Sequence, residues 1–116
     1  MSVSYEGIGQ WAATFACGGV REGQVVKVSA NGTVSACEEG DRFCGMALAV
    51  SRDGTACTVA LGGMVTAAYS GGTEPAAGWI NLAADGNGGV AVVSAGGRSC
   101  LAVDVDSAAR TVTFVL

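Results

Sequence analysis

The sequence contains no histidine, a single proline, and few aromatic residues: two Trp, two Tyr and three Phe. Without histidine, the commonest general base, the usual partner of a nucleophilic Ser or Cys, and the commonest zinc ligand are all missing. Hydrolytic triads are thereby excluded in their ordinary form. Basic residues number six against ten acidic ones, giving a net charge of −4, and they are scattered singly. Phosphate-backbone binding gathers several cations on one face, so nucleic acid is not an expected partner. No apolar run approaches the roughly 20 residues of a bilayer-spanning helix, and Met1–Glu6 lacks a basic segment leading into an apolar one. Neither a membrane protein nor one exported by a signal peptide is expected.

Five cysteines, Cys17, Cys37, Cys44, Cys57 and Cys100, are odd in number and form no Cys-x-x-Cys pair. They are expected to be free thiols acting as small buried apolar residues, with no metal or other cofactor.

What the chain has is small apolar residues and glycine. Half of its 116 residues are apolar, mostly Ala and Val, and 19 glycines punctuate them. This composition offers no large helical faces and suits a single domain of many short strands, a β-barrel or β-sandwich. The expected strands are residues 10–17, 24–29, 33–37, 43–51, 56–61, 64–70, 79–84, 89–94, 99–106 and 110–116. Asn31-Gly32, Asp53-Gly54 and Gly62-Gly63 supply turn chemistry between them. Asp85-Gly86-Asn87-Gly88-Gly89 resembles a calcium loop but lacks the spaced acidic ligands and closing Glu of an EF-hand, and reads as a turn.

The chain also resembles itself. Laying Asn31 to Leu61 on Asn87 to Leu116, with Gly45 left over, gives ten identities in thirty pairs, among them Gly40 with Gly96, Cys44 with Cys100 and Leu61 with Leu116. Side-chain parity agrees too. Met46, Leu48 and Val50 fall on Leu101, Val103 and Val105, and Cys57, Val59 and Leu61 fall on Val112, Phe114 and Leu116. A duplicated β unit follows, with approximate repeats 11–61 and 64–116. Its expected core includes Val59, Leu61, Leu101, Val103, Val112, Phe114 and Leu116, with a glycine bulge of left-handed conformation at Gly45.

Residues with chemistry are sparse. Asp104 and Asp106 share a strand face roughly 7 Å apart, at the low edge of inverting glycosidase separations, and read as solvated surface. Glu38-Glu39-Gly40-Asp41 reads as a solvated loop. Gly18-Gly19 and Gly71-Gly72 continue into no Gly-Lys-Ser/Thr, so nucleotide binding has no support. With little else to fill a core, Trp11 and Trp79 are expected to be buried.

Several strings in order are similar to the small Gly-, Ala- and Val-rich decoration, or cement, proteins of tailed-bacteriophage capsids. They are Gly18-Gly19-Val20-Arg21-Glu22-Gly23-Gln24-Val25-Val26, the run from Gly40 to Ala49, the run from Thr58 to Val65, and the closing segments Gly97 to Asp106 and Thr111 to Leu116. The resemblance implies a β-barrel or sandwich, often a homotrimer, made in the host bacterial cytoplasm. It implies a place on the virion capsid surface, clamping neighbouring major capsid protein subunits, and carries over no catalytic residues. Residues 1–10 then read either as an arm ordered on a neighbour, with Tyr5, Ile8 and Trp11 as anchors, or as an edge strand on its own domain. The rival reading is a ligand-binding β module such as a carbohydrate-binding domain, which predicts a groove with exposed Trp79 or Tyr69 beside polar groups. An enzyme using Asp104 and Asp106 ranks last.

Overall fold

The computed structural model describes residues 10–116. The expected anchors Tyr5 and Ile8 lie outside that range. Ten strands form: β1 (Trp11–Gly18), β2 (Val25–Ala30), β3 (Thr33–Ala36), β4 (Gly45–Val50), β5 (Ala56–Gly62), β6 (Met64–Ala68), β7 (Gly78–Ala84), β8 (Val90–Val92), β9 (Arg98–Asp106) and β10 (Thr111–Val115). The fold is all-β, and its strands follow the runs expected from the sequence to within a few residues.

Strands β1 to β5 make a closed barrel in the order β1-β3-β2-β4-β5, with β5 returning to β1. Strands β6 to β10 make a sheet in the order β6-β10-β9-β7-β8, whose two edges meet through a parallel bridge from Tyr69 to Val90. The first barrel closes at the same place. There Cys17 pairs in parallel with Val34, the residue that aligns with Val90. The hairpins correspond residue for residue as well: Met46 opposes Ala60 and Val50 opposes Cys57, just as Leu101 opposes Val115 and Val105 opposes Val112.

The registers also correct two expectations. Between Ala47 and Ala49, and again between Ala102 and Asp104, one strand carries a residue that its partner does not match. The bulges therefore sit at the aligned positions Leu48 and Val103 and turn those side chains out of the period-two alternation. Ala47 and Ala102 take the inner positions instead. Val59, Val112 and Phe114 are buried as expected, Leu61 and Leu116 pack on the core from its margin, and Leu101 and Val103 lie outside it. Gly45 does not have a left-handed φ. It opposes Val26 in the ladder, as Cys100 opposes Ile80, so it is a paired residue rather than an insertion. It must be glycine because a Cβ there would overlap the carbonyl oxygen of Ala60.

Two buried clusters follow from this architecture. The smaller fills the first barrel with Val26, Val34, Ala47, Cys57 and Val59. The larger lies on the second sheet with Val65, Leu82, Val90, Val112 and Phe114, and extends to Val25, Met46 and Ala60 on the opposite face of the first barrel's strands and to Phe43 in the segment before β4. The two halves are thus sealed by apolar side chains. Backbone hydrogen bonds reinforce the seal: Val25 N donates to Gly88 O, and the Gly40–Asp41 backbone exchanges bonds with Ala84 in both directions, each at 2.9 Å.

Candidate interaction surface

Both tryptophans are exposed, Trp11 at 68% and Trp79 at 73%, which overturns the expectation that they fill the core. Both interiors are filled without the indoles: the smaller by Val, Ala and Cys, and the larger by Phe43, Tyr69, Leu82 and Phe114 with Val, Ala, Met and Cys around them. Trp11 opens β1 beside Gly62, with its Cβ 3.4 Å from where a Gly62 side chain would begin, so a glycine there lets the ring lie against the strand.

Trp79 belongs to a row that runs across the outside of the second sheet. It stands opposite Leu101, Leu101 opposite Val115, and Val115 opposite Met64, with the last three half-buried. Directly opposed strand residues lie about 4.5–5.5 Å apart at Cβ, so these side chains form one continuous apolar stripe. Gln10, beside Trp11, adjoins its end by donating from Nε2 to the Met64 carbonyl at 3.1 Å. With Val28 at 56% exposure on the first barrel, the large apolar groups most open to water, Trp11, Val28 and Trp79, stand on strands.

The clefts are small. One of about 320 Å³ lies by the β4–β5 turn and is lined by Thr14, Val50, Ser51 and Thr58 among others. One of about 210 Å³ lies by the β9–β10 turn, between Tyr69, Glu74, Ser107 and Arg110. Tyr69 is buried, its hydroxyl donates to Glu74 at 3.1 Å, and the Arg110 guanidinium stacks 5.0 Å from its ring centre. Its aromatic face is therefore already occupied, and it offers no platform to a sugar.

Four aspartates accept backbone amides at turns. Asp85 accepts from Asn87 N, Gly89 N and Ser70 Oγ, folding the 85–89 loop as a turn around one carboxylate. Asp41 accepts from Lys27 Nζ at 2.6 Å and from Glu38 N, which holds its carboxyl below the usual range and raises the Lys27 ammonium. Asp53 accepts from Ser51 Oγ, Thr55 Oγ1 and Thr55 N and is lowered to about 2. Asp106 takes the amides of Ala108 and Ala109, while Asp104, two positions earlier on β9, lies opposite Thr113 in the ladder.

All five cysteines are free thiols. Burial pushes Cys37 and Cys57 up to about 11 and raises Cys44 and Cys100, the opposite of what activates a nucleophile. Among the described residues, no three His, Cys, Asp or Glu are grouped to hold a metal ion, and no helix is long and apolar enough to cross a membrane.

Of the three anchors expected from the sequence, only Trp11 falls within the described residues, and it is joined by residues the sequence reading assigned to the interior or passed over: Trp79, Leu101 and Val28. The outward turn of half-buried Leu101 follows from the Val103 bulge, which shifts parity along β9 and leaves no mark in local composition. No family model matches the chain, and no curated protein does either.

Proposed function

We propose that the protein is a non-enzymatic virion structural protein that binds the outer surface of a tailed-phage capsid and stabilises it. The observation that carries this reading is the apolar stripe from Trp79 to Met64, with Trp11 exposed beside Gln10 near its end, on a small acidic barrel protein. Stabilising a shell requires buried interface and no chemistry. Preferential binding to the assembled lattice stabilises that lattice by mass action. The strings shared with cement proteins, from Gly18 to Val26 and from Gly40 to Ala49, support it further.

The test is cosedimentation of the purified chain with expanded heads of tailed phages and, separately, with unassembled capsid subunits. Binding to heads that raises the temperature at which they rupture is the expected result. Failure to bind any head would remove the proposal.

Exposure of Trp79 also favours a second reading, a carbohydrate-binding module, since an exposed indole stacks on sugar rings. Its strand neighbours Leu101, Val115 and Met64 are apolar rather than hydrogen-bonding, which ranks it second. A glycan-induced change in tryptophan fluorescence, lost in Trp79→Ala, would reverse that ranking.

A further inference from the structure

The two halves carry the same cross-strand row, and three of its four positions are covered in the first half but not in the second. In the first half Val25 opposes Met46, Met46 opposes Ala60, and Ala60 opposes Ala12. In the second half the same four ladder positions hold Trp79, Leu101, Val115 and Met64. Val25, Met46 and Ala60 are buried where the halves meet, at 1%, 5% and 0% exposure. Their counterparts Trp79, Leu101 and Val115 lie on the open stripe, with Trp79 exposed and the other two half-buried.

The reciprocal surface is likewise present twice. In the second half it includes Ala84, opposite Val90, buried and hydrogen-bonded to the Gly40–Asp41 backbone of the first half. In the first half the corresponding residue is Val28, opposite Val34, and it is exposed. The covering loop has a counterpart of its own. Gly40 and Gly96 align and share a left-handed φ, 86° and 81°. Each molecule therefore ends with one unmatched copy of each side of its internal seam.

We propose that this protein self-associates head to tail. The Trp79–Leu101–Val115–Met64 row of one copy docks on the Val28-bearing end of the first half of the next, repeating between molecules the contact that joins the halves within one. Such an interface is heterologous, so it closes into a ring or continues as a chain according to its rotation, and it does not make a two-fold dimer. The proposal does not rest on the capsid reading.

The experiment is sedimentation velocity with light scattering on the full chain across a concentration series, for the wild type and for Trp79→Asp and Val28→Asp, with the fold of each variant checked by its thermal transition. Both substitutions fall on exposed side chains. The wild type is expected to form species larger than a dimer. Either variant alone is expected to stay monomeric, since every contact then includes one spoiled face. An equimolar mixture of the two is expected to form a dimer and nothing larger, because one pair of intact faces remains between unlike molecules. A wild type that is monomeric throughout, association that survives Val28→Asp, or a mixture that stays monomeric would each overturn it. No capsid enters the measurement, so its failure leaves the capsid proposal to its own test.

Discussion

Phe43 meets Phe114 edge to face, with ring centres 5.8 Å apart and planes at 63°, and the pair crosses the seam between the two halves. The Arg98 guanidinium lies 5.9 Å from the Phe43 ring centre while its Nη1 donates to the Cys44 carbonyl, so one second-half side chain holds the segment that presents Phe43. Phe114→Ala is expected to cost about 3–5 kcal/mol, as large aromatic truncations in packed cores do. A double-mutant cycle with Phe43→Ala should return a coupling of about 0.5–1.5 kcal/mol. Urea unfolding measures both, and additive losses would mean that the rings act independently.

Gly45 is required by close approach of the Ala60 backbone rather than by its own conformation. Gly45→Ala is expected to destabilise by about 1–3 kcal/mol, the cost of forcing apart a packed strand pair. Gly72→Ala, where a Cβ meets nothing and φ is unstrained, should stay within about 0.5 kcal/mol. Equal effects at the two positions would contradict the packing argument.

The β4–β5 turn should be acid-sensitive. Asp53 is lowered to about 2 in the folded chain by three hydrogen bonds, against about 3.9 for an unfolded aspartate. A depressed carboxyl contributes stability that is complete above the unfolded value and is lost as pH falls toward the folded one. The stability gap between wild type and Asp53→Ala should thus be widest above about pH 4 and shrink toward about pH 2. A gap independent of pH would show that the carboxylate charge is not what organises the turn.

Burial at Cys37, Cys57 and Cys100 predicts slow thiol chemistry. At neutral pH a disulfide reagent should modify fewer than all five cysteines of the native chain and all five in denaturant. Prompt labelling of every thiol in the native protein would mean that the interiors open readily.

The strands and turns were legible because period-two alternation and glycine dipeptides act locally. Aligned residues such as Cys57 with Val112 and Val59 with Phe114 hold corresponding ladder positions in the two halves, because side-chain parity is set locally. Parity beyond Leu48 and Val103 was not legible, since a bulge is fixed by the partner strand and not by the bulged residue. For the same reason, the outward turn of Leu101 could not be read from alternation alone. Trp11 and Trp79 were misread for a different cause: scarcity of large residues suggested that both indoles were needed inside, whereas Phe43, Tyr69, Leu82 and Phe114 with small Val, Ala and Cys close the interiors without them.

Barrel closure carries a consequence for how this molecule changes over time. In the first half every strand already has hydrogen-bonding partners on both sides, and in the second the free edges are reduced to the short β8 and its neighbour β6. Little backbone is left to template strand addition, the route by which apolar β proteins most readily aggregate. Recognition is thereby delegated to outward side chains such as Trp79 and Val28, which can be exchanged one at a time while the ladder beneath them stays intact. A new partner can be acquired, or an old one shed, by point substitution without refounding the scaffold.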